Sequence, residues 1–200
     1  MKVKQTPWGT WNHLPLETVV GLFRDFPKPW WIAGGYAIDA FAGSGRREHD
    51  DIDNSLFATD HLLARQHLAA WDLHAADPPD TLRPWPIDEV LPPHVHDIWA
   101  RGSAGDAWRF QLMLNPGGPE EFVCRRDERI RMPMNAATWE KDGVRYLAPE
   151  LQLLFKAKGL REKDQRDFDD CLPLLSGTQR SSLARWLMLT APGHEWLRRL

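Results

Sequence analysis

Residues 30–57 read WWIAGGYAIDAFAGSGRREHDDIDNSLF, and the order of residue types in this stretch decides the fold. Trp30 to Ala33 is a short apolar run of strand formers. Gly34 and Gly35 interrupt it, Tyr36 to Phe41 restarts as a helix, and Gly43-Ser44-Gly45 ends that helix. A segment carrying Arg46, Arg47 and His49 then leads into Asp50, Asp51 and Asp53, where a second strand is expected. The stretch predicts strand, glycine turn, short helix, basic loop, strand.

The residue types imply a chemistry. On a strand, Asp51 and Asp53 share a face, about 6.6 Å apart. Two carboxylates on one face repel unless a cation accompanies them, and oxygen-only ligands suit a hard ion, Mg²⁺ first. The glycine turn supplies the complement. A helix starting at Gly35 presents free N–H groups and a positive dipole end, and Gly34 and Gly35 let a phosphate approach with no Cβ in the way. An acid pair for metal beside a turn for phosphate is the layout for handling a nucleoside triphosphate. Arg47 and His49 alternate ahead of the acids. They aim at the triphosphate or orient the aspartates; a solvated basic loop is the plainer account of Arg47, and a structural hydrogen bond to the acid strand that of His49. Asp39, on the helix after the glycines, is read as a brace for the turn.

Working outward, Leu14 to Phe26 has apolar residues at helical spacing, and residues 1–13 read as an extended lead-in. Thr59-Asp60 caps a helix running to Trp71. Leu73 to Ala76 is a short strand, and the proline-rich residues 77–95 read as a loop at a cleft mouth. Residues 96–101 and 108–114 form a hairpin, with one or two further strands between Glu121 and Ile130. Asp142-Gly143 is a hairpin turn joining Thr138–Trp139 to Val144–Leu147. From Pro149 the pattern becomes helical, with three helices, the third capped by Ser176. Residues 1–147 are therefore expected to form the α/β part and 148–200 a helical annex.

The 200 residues suffice for one sizeable core, and the net charge of -3 argues against a general nucleic-acid binder. Eleven tryptophans mostly fill the core or line a cleft, leaving one or two for stacking on a ligand. Two cysteines, Cys124 and Cys171, have neither metal-site spacing nor a disulfide framework. Without a signal peptide or a long apolar span, the expectation is a cytoplasmic protein with no membrane partner.

The spacing of Gly34-Gly35 and Asp51-Ile52-Asp53 resembles the signature of the polymerase-β-type nucleotidyltransferases. The longer strings, GGYAID and REHDDID, resemble the aminoglycoside 2″-adenylyltransferases, and the likeness extends to PELQLLFKAK, REKDQRDF and PGHEWL. The resemblance implies an α+β fold, a nucleotidyltransferase-like mixed sheet flanked by helices with a C-terminal helical annex. It implies transfer of AMP from ATP to a hydroxyl of a small, aminoglycoside-like acceptor, with Mg²⁺ on Asp51 and Asp53, pyrophosphate released and antibiotic resistance as the role. It also implies a lysine from the first annex helix near the phosphates, Lys156 or Lys158, which face different sides. Lys163, Asp164, Asp167 and Phe168 match a KDxxDF pattern, in which Asp164 is read as a helix cap.

One position departs from the pattern. The family's third carboxylate falls on Gln111, and an amide hydrogen-bonds a hydroxyl without taking its proton. Asp97, Glu89 and Asp106 are candidate substitutes. The alternative function is a weak or inactive nucleotide- and metal-binding protein of the same fold. A transferase acting on a protein, and a metal phosphohydrolase built on His49, Asp51 and Asp53, are further readings.

Overall fold

The structure is a computed structural model that describes residues 3–43 and 48–200. The chain begins with a hairpin, β1 (Lys4–Thr6) and β2 (Gly9–Trp11), followed by α1 (Leu16–Phe23). The expected lead-in is thus paired, because Trp11 finds a buried place against the sheet and the hairpin carries it there. Then come β3 (Trp30–Ile32), α2 (Gly34–Ala42) and β4 (Asp53–Phe57). A 3-10 turn (Ala58–Asp60) leads into α3 (His61–His67), β5 (Asp72–Ala75) and the two-residue β6 (Arg83–Pro84) inside the proline-rich loop. The hairpin β7 (Asp97–Arg101) and β8 (Phe110–Asn115) follows, then β9 (Glu121–Val123) and β10 (Arg131–Pro133), which pair with each other. A short α4 (Met134–Ala137) precedes β11 (Thr138–Lys141) and β12 (Val144–Leu147). Asp142 and Gly143 between them take φ of 53° and 74°, the left-handed pair that a two-residue hairpin turn requires.

Eight strands form one mixed sheet in the order β11-β12-β3-β4-β8-β7-β5-β6. The β12–β3 and β4–β8 pairs are parallel and the others antiparallel. Trp31, Ile32, Leu56, Leu112, Leu114 and Ile98 are buried along its central strands. The C-terminal helices α5 (Pro149–Lys156), α6 (Glu162–Cys171) and α7 (Gly177–Thr190) follow the sheet. Helix α5 packs against α2 on one side and α6 and α7 on others, so nearly all of it is buried. Ser176 caps α7 by accepting from the Gln179 N–H, as its position predicts. Trp196 stacks on Phe168 with ring centroids 4.1 Å apart and planes 6° apart, and its indole N–H donates to Gln165 at 2.7 Å. Among the described residues no helix is long and apolar enough to cross a membrane.

The Phe168–Trp196 stack ties the chain's last turn to α6. Phe168→Ala is expected to lower the unfolding free energy by about 3–5 kcal/mol, read by denaturant titration; a loss below about 1 kcal/mol would show that the stack is dispensable.

Candidate active site

Strand register brings the acids and Gln111 together. Strand β3 lies beside β4, and the Ala33 N–H donates to the Asp53 carbonyl at 2.9 Å, so the glycine turn begins where the acid strand begins. In the parallel β4–β8 ladder Asp53 is directly opposite Gln111, whose N–H donates to the Ile52 carbonyl at 3.0 Å. Directly opposed residues share a face, so Asp53 and Gln111 look the same way. On the next strand Trp99 faces Gln111 and Asp97 faces Met113, which puts Asp97 on this face as well. Asp51 lies just ahead of β4, in irregular backbone, rather than within the expected strand.

Gly34 is glycine for two reasons. Its φ is 68°, and a Cβ there would lie 2.1 Å from Asp53 Oδ2. The carboxylate thus presses against bare backbone at the helix start. The Gly34 N–H is not left open to a phosphate: it donates to the buried Oε1 of Gln152 on α5 at 2.7 Å. The N–H groups of Gly35 and Tyr36, next in the first turn of α2, have no intrahelical partner.

The Asp53 carboxyl is pushed up to about 7. Burial is the largest cause; the like charges of Asp51 and Asp97 add to it, and Lys156 and Arg125 oppose it. An acid pair short of counter-charge is what a divalent cation relieves. Asp51 and Asp53 fit as its protein ligands, and no cluster of three or more ligating side chains occurs among the described residues. Phosphate oxygens and water would fill the remaining positions, the usual arrangement for Mg²⁺.

The other predicted residues divide. Lys156 is buried, its Nζ 2.7 Å from Asp167 and 3.6 Å from Asp164, so it joins α5 to α6 while its charge still reaches Asp53. Asp164 also accepts from Arg161 and caps α6. Lys158 is exposed, on a separate cavity of about 660 Å³ shared with Arg125, Arg126 and His194. His49 is buried; its Nε2 lies 2.7 Å from Asp39 Oδ2 and its ring rests on Tyr36. Its carbonyl receives His13 Nε2 at 2.9 Å, so His49 ties the end of the basic loop to α2 rather than to the acid strand. Arg47 lies outside the described residues. Of the candidate substitutes for a third acid, Glu89 is bonded to Arg83 and Asp106 to Ser103 in an exposed turn, whereas Asp97 shares the face and the field of Asp53.

Two contributors escaped the sequence reading. Gln152 is a buried amide inside an otherwise apolar helix, a signal that was there to be read. Arg125 sits 3.9 Å from Asp97 beside the acids, and nothing in its local sequence marks it.

The family model of aminoglycoside-2″-adenylyltransferase matches residues 15–72. Among solved structures, ANT(2″)-Ia in complex with adenylyl-2″-tobramycin is similar at 17% identity and a TM-score of 0.58, covering 88% of this chain and 97% of its own. The lincosamide antibiotic adenylyltransferase LnuA, lincomycin-bound, is similar at 16% identity and a TM-score of 0.54, covering 80% of this chain and 97% of its own. No curated protein matches the sequence significantly. The chain has the nucleotidyltransferase fold, and the resemblance seen in residues 30–57 falls inside the matched stretch.

Gly34→Ala must force Asp53 away and hold alanine at positive φ, and is expected to cost about 1–3 kcal/mol in denaturant titration; stability equal to the parent would contradict the contact. The Asp53 shift sets a pH dependence. Its folded value near 7 lies above the ordinary carboxylate value of 3.8. Its contribution to stability is therefore fully present below the unfolded value and is lost as pH rises through about 7. In thermal melts without divalent metal, Asp53→Asn should flatten this decline. Mg²⁺ affinity, which requires the ionised carboxylate, should rise over the same range; an affinity independent of pH by calorimetry would sink the assignment.

Proposed function

We propose that the chain is a Mg²⁺-dependent nucleotidyltransferase that moves AMP from ATP to a hydroxyl of a small acceptor and releases pyrophosphate. The observation that carries the reading is the Asp53 carboxylate, seated against Gly34 at the start of α2 and raised first by burial and then by the neighbouring charge of Asp51. The aminoglycoside and lincosamide enzymes sharing this fold make an antibiotic hydroxyl the acceptor class to test first.

In this reading Asp51 and Asp53 hold the ion, which when bound would offset charge on the triphosphate. The first-turn amides of α2 and the Arg125 guanidinium face the phosphates. The acceptor oxygen attacks the α-phosphorus, the bond to the pyrophosphate oxygen breaks, and the hydroxyl proton must leave. Gln111, opposite Asp53, accepts a hydrogen bond from the hydroxyl and so orients it, but takes no proton at neutral pH. Asp97 is the carboxylate on the same face that can receive the proton, directly or through water. Lys156 positions the site by joining α5 to α6 below the acids.

Gln111 also favours a second reading, nucleotide and metal binding without efficient turnover. Pyrophosphate release, assayed with each nucleoside triphosphate and an antibiotic panel, separates the two. Release should require an acceptor and fall at least about a hundredfold in Asp51→Asn. Gln111→Glu should raise a weak rate, since it places a carboxylate nearer the acceptor hydroxyl than Asp97. Binding of Mg²⁺ and ATP with no release in either form would favour the second reading, and an absence of both would exclude the site.

A further inference from the structure

Two cavities share the arginine pair Arg125 and Arg126, and they differ in charge. The larger, of about 710 Å³, mixes signs: Glu120, Glu121, Asp127 and Glu128 line it beside the arginines, and its Arg131 is held by Glu121. The other, of about 660 Å³, lies where the C-terminal ends of α5 and α7 meet. Among the described residues no aspartate or glutamate lines it, while Arg125, Arg126 and Lys158 do. Gly34, Asp51, Asp53 and Gln111 are not part of its wall. On α5, Gln152 serves the glycine turn, whereas Leu154 and, past the helix end, Ala157 and Lys158 border this cavity.

The positive charge there is only partly spent inside the fold. Arg126 donates to the Leu154 carbonyl at 2.8 Å and to the Phe155 carbonyl, capping α5 with part of its donor fork. Arg125 makes no hydrogen bond among the described residues, and its ion pair there is the long one to Asp97, at 3.9 Å. The two guanidiniums lie 5.4 and 5.1 Å from the centroid of the Phe155 ring. Burial, then the like charge of Arg125, pushes the Arg126 guanidinium below its ordinary value, so this pair lacks counter-charge as the acid pair does. Asp164 acts on Arg126 from outside the cavity but is already held by Lys156 and Arg161. Lys158 is exposed, with no ion-pair partner among the described residues. His194 accepts the Trp196 N–H at Nδ1 and donates to the Ala157 carbonyl from Nε2, the neutral tautomer. Each helix end contributes about half a negative charge. Against Arg125, Arg126 and Lys158 these two ends leave the cavity positive, even with Asp97 counted in full.

We infer that this cavity is a second anion site, apart from the acid pair, which takes a phosphate ester with an apolar body and needs no metal to do so. Arg125, Arg126 and Lys158 receive the phosphate, supplying the charge that a cation supplies at the acids. Leu154, Leu160 and Leu187 give the cavity an apolar wall that inorganic phosphate alone would leave uncovered. The volume lies within the range of small-molecule sites, roughly 300–1,000 Å³. The inference goes beyond the transferase reading and stands without it. Arg125 also acts on Asp53, so the two sites share one charge. Anionic ligands bound at both divide Arg125 between them, and each weakens the other without excluding it.

The test is calorimetry of the full chain, stripped of divalent metal, with 1-naphthyl phosphate, inorganic phosphate and 1-naphthol. The ester should bind about tenfold tighter than either of the others, or better. Lys158→Glu and Thr190→Glu place a negative charge on two walls of the cavity at exposed positions, so both variants should fold, and each should weaken the ester about tenfold. No binding of the ester, phosphate or naphthol binding as tightly as the ester, or an ester affinity indifferent to both substitutions would overturn the inference. With Mg²⁺ and a non-hydrolysable ATP analogue, rising ester should weaken the analogue by no more than about tenfold and then level off. Displacement that grows without limit would mean a single site and would also overturn it. Failure of the analogue itself to bind would count against the transferase reading, while the ester titrations would still decide this one.

Discussion

The contact between Asp53 and the backbone of Gly34 is the constraint around which the rest is arranged. A carboxylate oxygen lies 2.1 Å from the place where any other residue would carry its Cβ, too close for a side chain there, and the backbone is left-handed. This holds the first turn of α2 against the first residue of β4, so the amide donors and the acids cannot drift apart. It also encloses Asp53 enough to raise its carboxyl to about 7, with Asp51 and Asp97 adding like charge. Binding a cation would then be coupled to loss of a proton, and the site holds an electrostatic deficit that a metal removes.

That contact is kept in place from the far end of the chain. Gln152 on α5 accepts the Gly34 N–H, and Lys156, one turn further, is clamped by Asp167 and Asp164 of α6. The C-terminal helices therefore reach the site twice, once by a hydrogen bond to the turn and once through a buried charge felt by Asp53. The buried cluster of Lys156 with two carboxylates is costly to desolvate and costly to break, because loss of one partner strands the others. Its worth here lies in fixing how α5 and α6 sit under the active face.

Much of the fold was legible because local chemistry and tertiary demand agree. The GG turn, the Asp142-Gly143 hairpin, the Ser176 cap and the β7–β8 hairpin are all set by backbone preferences of a few residues. The N-terminal hairpin was not legible. Its strands are three residues each and carry little periodicity, and they are held by Trp8, Trp11, Trp99 and Trp108 meeting from distant parts of the chain. The same limit applied to the charged residues. A lysine two positions from another can be said to face elsewhere, but which of the two is buried depends on α6, and it is Lys156.

The sequence by itself determined the order of elements around residues 30–57 and the presence of the acid pair, while the resemblance supplied the expectation that Gln111 stands at the position of a third carboxylate. The first two are properties of spacing along one chain segment, where a two-residue period or a glycine leaves little choice. Only the tertiary structure decided which groups share the site. Register set Asp53 opposite Gln111 and brought Asp97 to the same face, and packing of α5 assigned Gln152 to the Gly34 amide. Those outcomes depend on contacts between residues tens of positions apart, and no local preference encodes them.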